Sequence, residues 1–81
     1  MVHALKIKKE YFREVSRQSK KFEIRKNDRN FKVHDYLALN EIDENGEYTG
    51  DCLICLITYI LDDFEGLADG YVAMSIIVLD I

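Results

Sequence analysis

The fold class of this chain follows from one apolar run, Cys52-Leu53-Ile54-Cys55-Leu56-Ile57-Thr58-Tyr59-Ile60-Leu61. Its apolar side chains occupy both alternating faces of a β-strand, which predicts a central strand covered on both sides. The run is too short for a membrane-spanning helix, which needs about 20 residues. Residues 71–79 repeat the pattern. A twisted sheet that curls into a small barrel would cover two such strands.

The other predicted elements are shorter and amphipathic. Alternation in residues 3–8 predicts a short strand, and the apolar stripe in residues 9–18 predicts an amphipathic helix. Residues 36–42 predict another strand, and the Asn-Gly pair at 45–46 predicts the turn of a hairpin. We therefore expect one α+β domain over residues 1–81, a small β-barrel of about five strands with a short N-terminal helix.

The short strand predicted at residues 21–25 carries the densest charge pattern. Phe22 and Ile24 alternate there with three charged residues, so one face is apolar and the other is fully charged. We expect Phe22 and Ile24 to point into the barrel. This orientation would turn Glu23 and Arg25 toward a pocket that they share with Lys20.

Basic and acidic residues are segregated along the chain, whose net charge is −4. All 11 Lys and Arg residues lie at positions 1–35, with five of the 15 acidic residues. Residues 36–81 therefore hold ten acidic residues and no Lys or Arg. A basic half is typical of a protein with an anionic partner. The alternative is attraction between the two halves, since halves of a sequence need not be faces of a structure.

The charged stretch from Lys20 to Arg29 contains most of the candidate ligand-binding residues. Arginine contacts phosphate with two hydrogen bonds, lysine acts as a point charge, and a carboxylate accepts from the exocyclic amine of a base. An aromatic residue at the start of the last strand could stack on a base. The predicted contacts to RNA or a nucleotide come from Lys20, Lys21, Glu23, Arg25, Lys26, Asn27, Arg29 and Tyr71. The alternative to a binding site is a solvated surface with weak ion pairs between its side chains.

The spacing of Cys52 and Cys55 is that of a C-x-x-C motif. Residues three apart on a strand point to opposite faces, so these two thiols cannot share a metal or form a disulfide. The two histidines, His3 and His34, lie far away in sequence, whereas a zinc site needs further ligands. We expect buried free cysteines, no metal and no cofactor. Without a signal peptide or a membrane span, we expect a cytoplasmic protein.

The pattern Lys20-x-x-Glu23-x-Arg25, on a strand after a short helix, resembles the ASCH signature G-x-K-x-x-E-x-R. Together with segments 20–29, 31–33, 46–50, 58–61 and 70–72, it resembles a branch of short, uncharacterised bacterial and phage ASCH proteins. The resemblance implies a PUA-like β-barrel with a cleft between the helix and the strands, lined by the signature residues, with RNA or a nucleotide as ligand. The signature glycine is replaced here by Gln18, and His34 stands where the family tends to have glycine.

Two other functions stay open at this point. Some ASCH proteins are small amidohydrolases that act on N4-acetylcytidine, in which the signature lysine works with a threonine at the position that matches Glu23. In such an enzyme Lys20 and Glu23 would be the catalytic residues here, with Glu23 as a general base toward water. The third hypothesis is a protein-interaction module that docks an acidic partner through the basic stretch.

Overall fold

The computed structural model describes residues 1–79 of the chain. The elements follow one another as β1 (Val2–Lys8), α1 (Lys9–Ser16), β2 (Phe22–Lys26), β3 (Tyr36–Ile42), β4 (Tyr48–Leu61) and β5 (Tyr71–Val78). The α+β class and the order of the predicted elements are thus confirmed. The hairpin turn is confirmed as well, with Gly46 at a φ of 78°. The described part of the chain contains no helix that is long and apolar enough to cross a membrane.

The strands form one mixed sheet in the order β1-β3-β4-β5-β2. β1 runs parallel to β3, and every other neighbouring pair is antiparallel. The sheet curls into a half-barrel, and its core lies on the concave inner face. β1 and β2 are the two edges, and within residues 1–79 they share no backbone ladder. We call the gap between them the seam.

Alternate residues of four strands fill the core, as strand geometry requires. The buried apolar side chains are Leu5, Ile7, Val15, Phe31, Leu37, Leu39, Cys55, Ile57, Val72, Met74 and Ile76. Val15 brings α1 onto β1 and β3, at the inner side of the sheet. Burying each large apolar side chain stabilises the fold by about 1.5–3 kcal/mol.

The outer face of β4 and β5 is open to solvent, contrary to the sequence prediction. Ile57 is buried, whereas Tyr59 on the opposite face of β4 is 61% exposed. β5 alternates in the same way, and its residue Ile77 is 49% exposed. The prediction that both strands are covered on both sides was wrong. The helix packs on the inner side, and residues 1–79 contain no second layer to cover the outer one.

The two cysteines point to opposite faces of β4, as predicted, but their burial differs. Cys55 lies in the core and Cys52 is exposed, so the predicted burial of Cys52 was wrong. Burial raises the pKa of the Cys55 thiol to about 11. Cys55 is therefore a protonated core residue at neutral pH.

β2 presents its two faces the opposite way from the sequence prediction. Glu23 is only 3% exposed, whereas Phe22 and Ile24 are 48% and 52% exposed. Glu23 lies opposite the core residue Met74 of β5, and Arg25 follows on the same side. Alternation determines which residues share a face, but it does not determine which face meets the core. The charged side of β2 therefore lies inward, and the prediction that Phe22 and Ile24 point into the barrel was wrong.

A left-handed residue ends α1 and sets the start of β2. Gln18 has a φ of 62°. Its N–H donates to the carbonyl of Val15, and the N–H of Ser19 donates to the carbonyl of Glu14, both at 3.0 Å. This is the Schellman pattern of a helix C-terminus, in which glycine is the preferred left-handed residue. Gln18 thus adopts the glycine conformation, and the chain turns directly toward Lys20.

His34, the second residue at a family glycine position, is also left-handed, with a φ of 77°. Its N–H donates to the carbonyl of Ile57 at 2.8 Å, and the N–H of Ile57 donates to the carbonyl of Asp35 at 2.9 Å. The turn into β3 therefore forms without glycine, as expected from the tolerance of histidine for this conformation.

Candidate ligand-binding cleft

A cleft of about 810 Å³ opens along the seam. The edge strands β1 and β2 form its walls, and α1 and the start of β5 contribute one tyrosine each. Its lining consists of Lys6, Ile7, Lys8, Tyr11, Lys20, Phe22, Glu23, Ile24, Arg25, Ile42 and Tyr71. The volume lies within the range of small-molecule sites.

The buried carboxylate of Glu23 is the centre of this cleft. Its Oε1 accepts a hydrogen bond from Lys20 Nζ at 2.6 Å, and its Oε2 accepts one from Arg25 Nε at 2.8 Å. Each oxygen thus has a cationic donor, which offsets the desolvation cost of burying the charge. Lys20 precedes β2 and Arg25 lies two residues beyond Glu23, so the local chain alone assembles the three groups.

The ammonium of Lys20 is held in place by further contacts. It donates to the carbonyl of Phe22 at 2.8 Å. It also lies 4.8 Å from the ring centroid of Phe22 and 5.5 Å from that of Tyr11. Both distances are within the range of cation–π attraction. The lysine is therefore fixed between two aromatic rings at the wall of the cleft.

Two arginines cross the seam from the β2 side to the free edge of β1. Arg25 Nη2 donates to the carbonyl of Lys6 at 2.8 Å, and Arg29 Nη1 donates to the carbonyl of Ala4 at 2.9 Å. These side chains bond to carbonyls that a sixth strand would otherwise engage. Within residues 1–79, Arg25 Nη1 donates to no acceptor, so it is available to a ligand in the cleft.

The cleft is positively charged overall. Four cations, from Lys6, Lys8, Lys20 and Arg25, accompany the single carboxylate of Glu23. Clefts of one charge sign concentrate ligands of the opposite sign. The apolar and aromatic parts of the lining add surfaces for a ring. The arrangement therefore suits an anion that also carries a planar group.

Four of the eight predicted binding residues line this cleft: Lys20, Glu23, Arg25 and Tyr71. The other four lie outside its lining. Lys21 borders a separate, shallow concavity beside Ile76, and Lys26 is exposed on the outer face. Asn27 accepts from the N–H of Phe31 at 2.9 Å, and Arg29 bonds to β1.

Seven cleft residues were missing from the prediction, and three of them carry polar side chains: Lys6, Lys8 and Tyr11. The alternation of Lys6 and Lys8 with apolar residues identified them as exposed. Their place beside Arg25 depends on β1 pairing in parallel with β3 and leaving its other edge free. Sequence alternation carries no signal for that arrangement.

A second, smaller concavity of about 360 Å³ lies at the β4–β5 loop. Its lining includes Asp62, Asp63 and Asp69. Carboxylates at that density repel phosphate. The cleft at the seam is therefore the better candidate for an anionic ligand.

His3 and Asp35 form another polar pair, at the opposite end of β1 from the cleft. His3 Nε2 lies 2.8 Å from Asp35 Oδ2, and the His3 ring packs edge-on against Phe31 at 4.8 Å. The hydrogen bond with His3 lowers the pKa of the Asp35 carboxyl below its usual value. This pair ties β1 to the turn before β3 and contributes stability rather than a lining for the cleft.

A known protein family matches nearly the whole chain. A model of the family described as Domain of unknown function (DUF3850) matches residues 2–76. The chain belongs to this family. The matched region includes every residue that lines the cleft of this DUF3850 domain.

The fold of this DUF3850 chain is also found among solved structures. The crystal structure of hypothetical protein PH0355 is similar with a TM-score of 0.64 and 18% sequence identity. The alignment covers 98% of this chain and 100% of that one. At this identity the likeness concerns the fold. No curated protein matches the chain.

Proposed function

We propose that this protein binds RNA or a nucleotide in the cleft between β1 and β2. The observation that carries the proposal is the Lys20–Glu23–Arg25 assembly, which faces a cleft bordered by Lys6 and Lys8. The resemblance to the ASCH signature supports it, because the same three residues match the charged positions of that signature. In ASCH proteins the signature is the proposed ligand-binding element.

The chemistry of the lining matches the two parts of a nucleotide. Phosphate oxygens would accept from Lys6, Lys8 and Arg25 Nη1, in contacts strengthened by charge. Each carboxylate oxygen of Glu23 has a second lone pair that can accept from an exocyclic amine. Tyr71 at the end of the cleft offers a face for base stacking.

Titration with labelled single-stranded RNA of mixed sequence and with a panel of ribonucleoside monophosphates tests this proposal. We expect binding that weakens as salt increases, because phosphate contacts release counterions. The Lys8→Ala variant should bind more weakly and with a smaller salt slope. Lys32→Ala removes a lysine outside the cleft and is the matched control. Absence of binding by RNA and by all nucleotides at low salt would contradict the proposal.

A hydrolytic role for the same pair is a second candidate. It is favoured by the position of the buried Glu23 carboxylate at the cleft, 2.6 Å from Lys20 Nζ. With N4-acetylcytidine, Glu23 would take a proton from a water molecule that attacks the acetyl carbonyl. The C–N bond would then break and the proton would pass to the leaving amine. Cytidine and acetic acid would form, and the acid would release its proton to the solvent as acetate.

Incubation with N4-acetylcytidine followed by chromatography tests the second candidate. Cytidine should form with the native chain and with Lys21→Ala, in which the altered lysine lies outside the cleft. It should fall to background with Glu23→Gln, which keeps the shape of the side chain but cannot act as a carboxylate base. No cytidine from the native chain would exclude this substrate.

The hypothesis of an acidic protein partner predicts a different set of contacts in the cleft. Such a partner would bind to the cations of the cleft and would not require a stacking surface. Tyr71→Ala therefore separates the two binding proposals. Nucleotide binding should weaken in this variant, whereas docking of an acidic protein through the lysines should persist.

A further inference from the structure

The outer face of β2, β5 and β4 forms a continuous apolar surface. The strand register places Phe22, Ser75 and Tyr59 side by side in one row, and Ile24, Ala73 and Leu61 in the next. We call these two rows, with Ile77, the outer patch. Its two members on β2, Phe22 and Ile24, also border the cleft. Ser75 is its one polar member.

The large apolar side chains of the outer patch are exposed to solvent. Four of its large side chains, Phe22, Ile24, Tyr59 and Ile77, are about half exposed or more. From strand spacing and rise, the patch measures roughly 15 by 20 Å. Contiguous apolar patches of about 300 Å² or more on a monomer are often functional. We therefore expect a partner to cover the apolar residues on the outer face of β4 and β5.

We propose that the outer patch joins two copies of this chain in a two-fold dimer, with the symmetry axis along β5. A two-fold interface must be complementary to itself. With the axis along β5, the strand β2 of one copy lies over β4 of the other. Each row of apolar side chains in one copy then faces the same row of the other copy.

The charges at one end of the outer patch support this particular axis. Lys26 ends β2 on the outer face, and Asp62 and Asp63 follow directly after β4 at the same end of the sheet. The rotation about β5 therefore brings Lys26 of each copy to the acidic pair of the other copy. Opposite charges meet twice, once on each side of the axis.

The other face-to-face two-fold arrangement is disfavoured by the same charges. With the axis across the strands, β2 would lie over β2 in the opposite direction. Lys26 of one copy would then approach the end of β2 that begins after Lys21 of the other copy. Like charges placed opposite each other reduce affinity and select against an arrangement. The small area of the patch also places the dimer at the weak, concentration-dependent end of interfaces.

Sedimentation of the full chain over a wide range of concentrations tests the dimer. We expect the mass to rise from 9.5 kDa toward twice that value as the concentration increases. Ile77→Lys should keep the chain a monomer throughout. This residue is exposed and lies outside the cleft, so folding and ligand binding should persist. Val33→Lys, at another exposed apolar position off the patch, should dimerise as the native chain does.

A charge exchange tests the direction of the axis. Lys26→Glu should weaken dimerisation, and Lys26→Glu combined with Asp62→Lys and Asp63→Lys should restore it. A native chain that remains a monomer at every concentration would overturn the proposal. This holds even if the monomer binds a different protein through the outer patch. Dimerisation that is insensitive to Ile77→Lys, or unaffected by the charge exchange, would overturn it as well.

Discussion

Arg25 donates from Nη2 to the carbonyl of Lys6 across 2.8 Å, while its Nε donates to the carboxylate of Glu23. One side chain therefore links the buried charge of β2 to the edge of β1. The two strands share no backbone ladder within residues 1–79. The seam is thus closed by side chains, and its strength depends on single residues.

Removal of the Arg25 side chain should destabilise the fold. We expect Arg25→Ala to lower the free energy of unfolding by about 2 kcal/mol, because a buried carboxylate loses one of its two charged donors. Urea unfolding measures the change. Arg13→Ala, an exposed arginine on α1, should change the same quantity by less than about 0.5 kcal/mol. Equal effects of the two substitutions would show that the seam contact contributes nothing specific.

Replacement of Glu23 by an apolar residue should separate stability from binding. We expect Glu23→Met to change the free energy of unfolding by less than about 1.5 kcal/mol, since Lys20 and Arg25 are partly exposed and can be rehydrated. Ligand binding in the cleft should fall sharply. Urea unfolding and nucleotide titration on the same sample measure both. A large loss of stability would show that Glu23 mainly stabilises the fold.

A glycine at position 18 should stabilise the protein. Non-glycine residues incur a cost of about 1–2 kcal/mol in the left-handed conformation, and Gln18 adopts it. After allowance for the greater backbone entropy of unfolded glycine, we expect Gln18→Gly to raise the free energy of unfolding by about 0.5–1 kcal/mol. Arg17→Gly, at a φ of −83°, should lower it. Thermal unfolding of both variants decides the question, and destabilisation by Gln18→Gly would contradict the proposed strain.

Stability should decline in acid partly through Asp35. The hydrogen bond with His3 holds the pKa of this carboxyl below its ordinary value of 3.8. The folded state thus favours the ionised form. The stabilisation is fully present above the unfolded value and is lost as pH falls from about 3.8 through the lower folded pKa. Urea unfolding at a series of pH values should show a shallower acid decline for Asp35→Asn than for the control Asp51→Asn.

The two cysteines should differ in reactivity. The exposed Cys52 should react with iodoacetamide in the native protein. Cys55 is buried, and its raised pKa of about 11 leaves little thiolate at neutral pH. Mass spectrometry should find one modified thiol in the native chain and two in denaturant. Rapid double modification of the native chain would show that the core opens readily.

The positions of the strands could be predicted from alternation and from the two apolar runs, but the face that each strand turns toward the core could not. The pattern at residues 21–25 defines two faces, and hydrophobicity alone assigns Phe22 and Ile24 to the inside. The structure reverses this assignment because Lys20 and Arg25 neutralise Glu23 from both sides. A carboxylate flanked in sequence by two cations within reach is the signal that could have suggested its burial.

The composition of the cleft depends on strand order, which the sequence does not reveal locally. Lys20, Glu23 and Arg25 are close in sequence, so their proximity followed from one strand. Lys6 and Lys8 join them only because β1 becomes the far edge of a curled sheet. The same curl leaves Tyr59 and Ile77 exposed on the outer face. Their apolar character had predicted that both faces of β4 and β5 would be buried.

The guanidinium contacts to Ala4 and Lys6 also occupy part of an exposed strand edge. An unpaired strand edge is a template onto which a foreign strand can add, and natural proteins block such edges. Here two carbonyls of β1, those of Ala4 and Lys6, already accept from guanidinium groups that an incoming strand would have to displace. Addition of a foreign strand to β1 would therefore require both guanidinium contacts to break first.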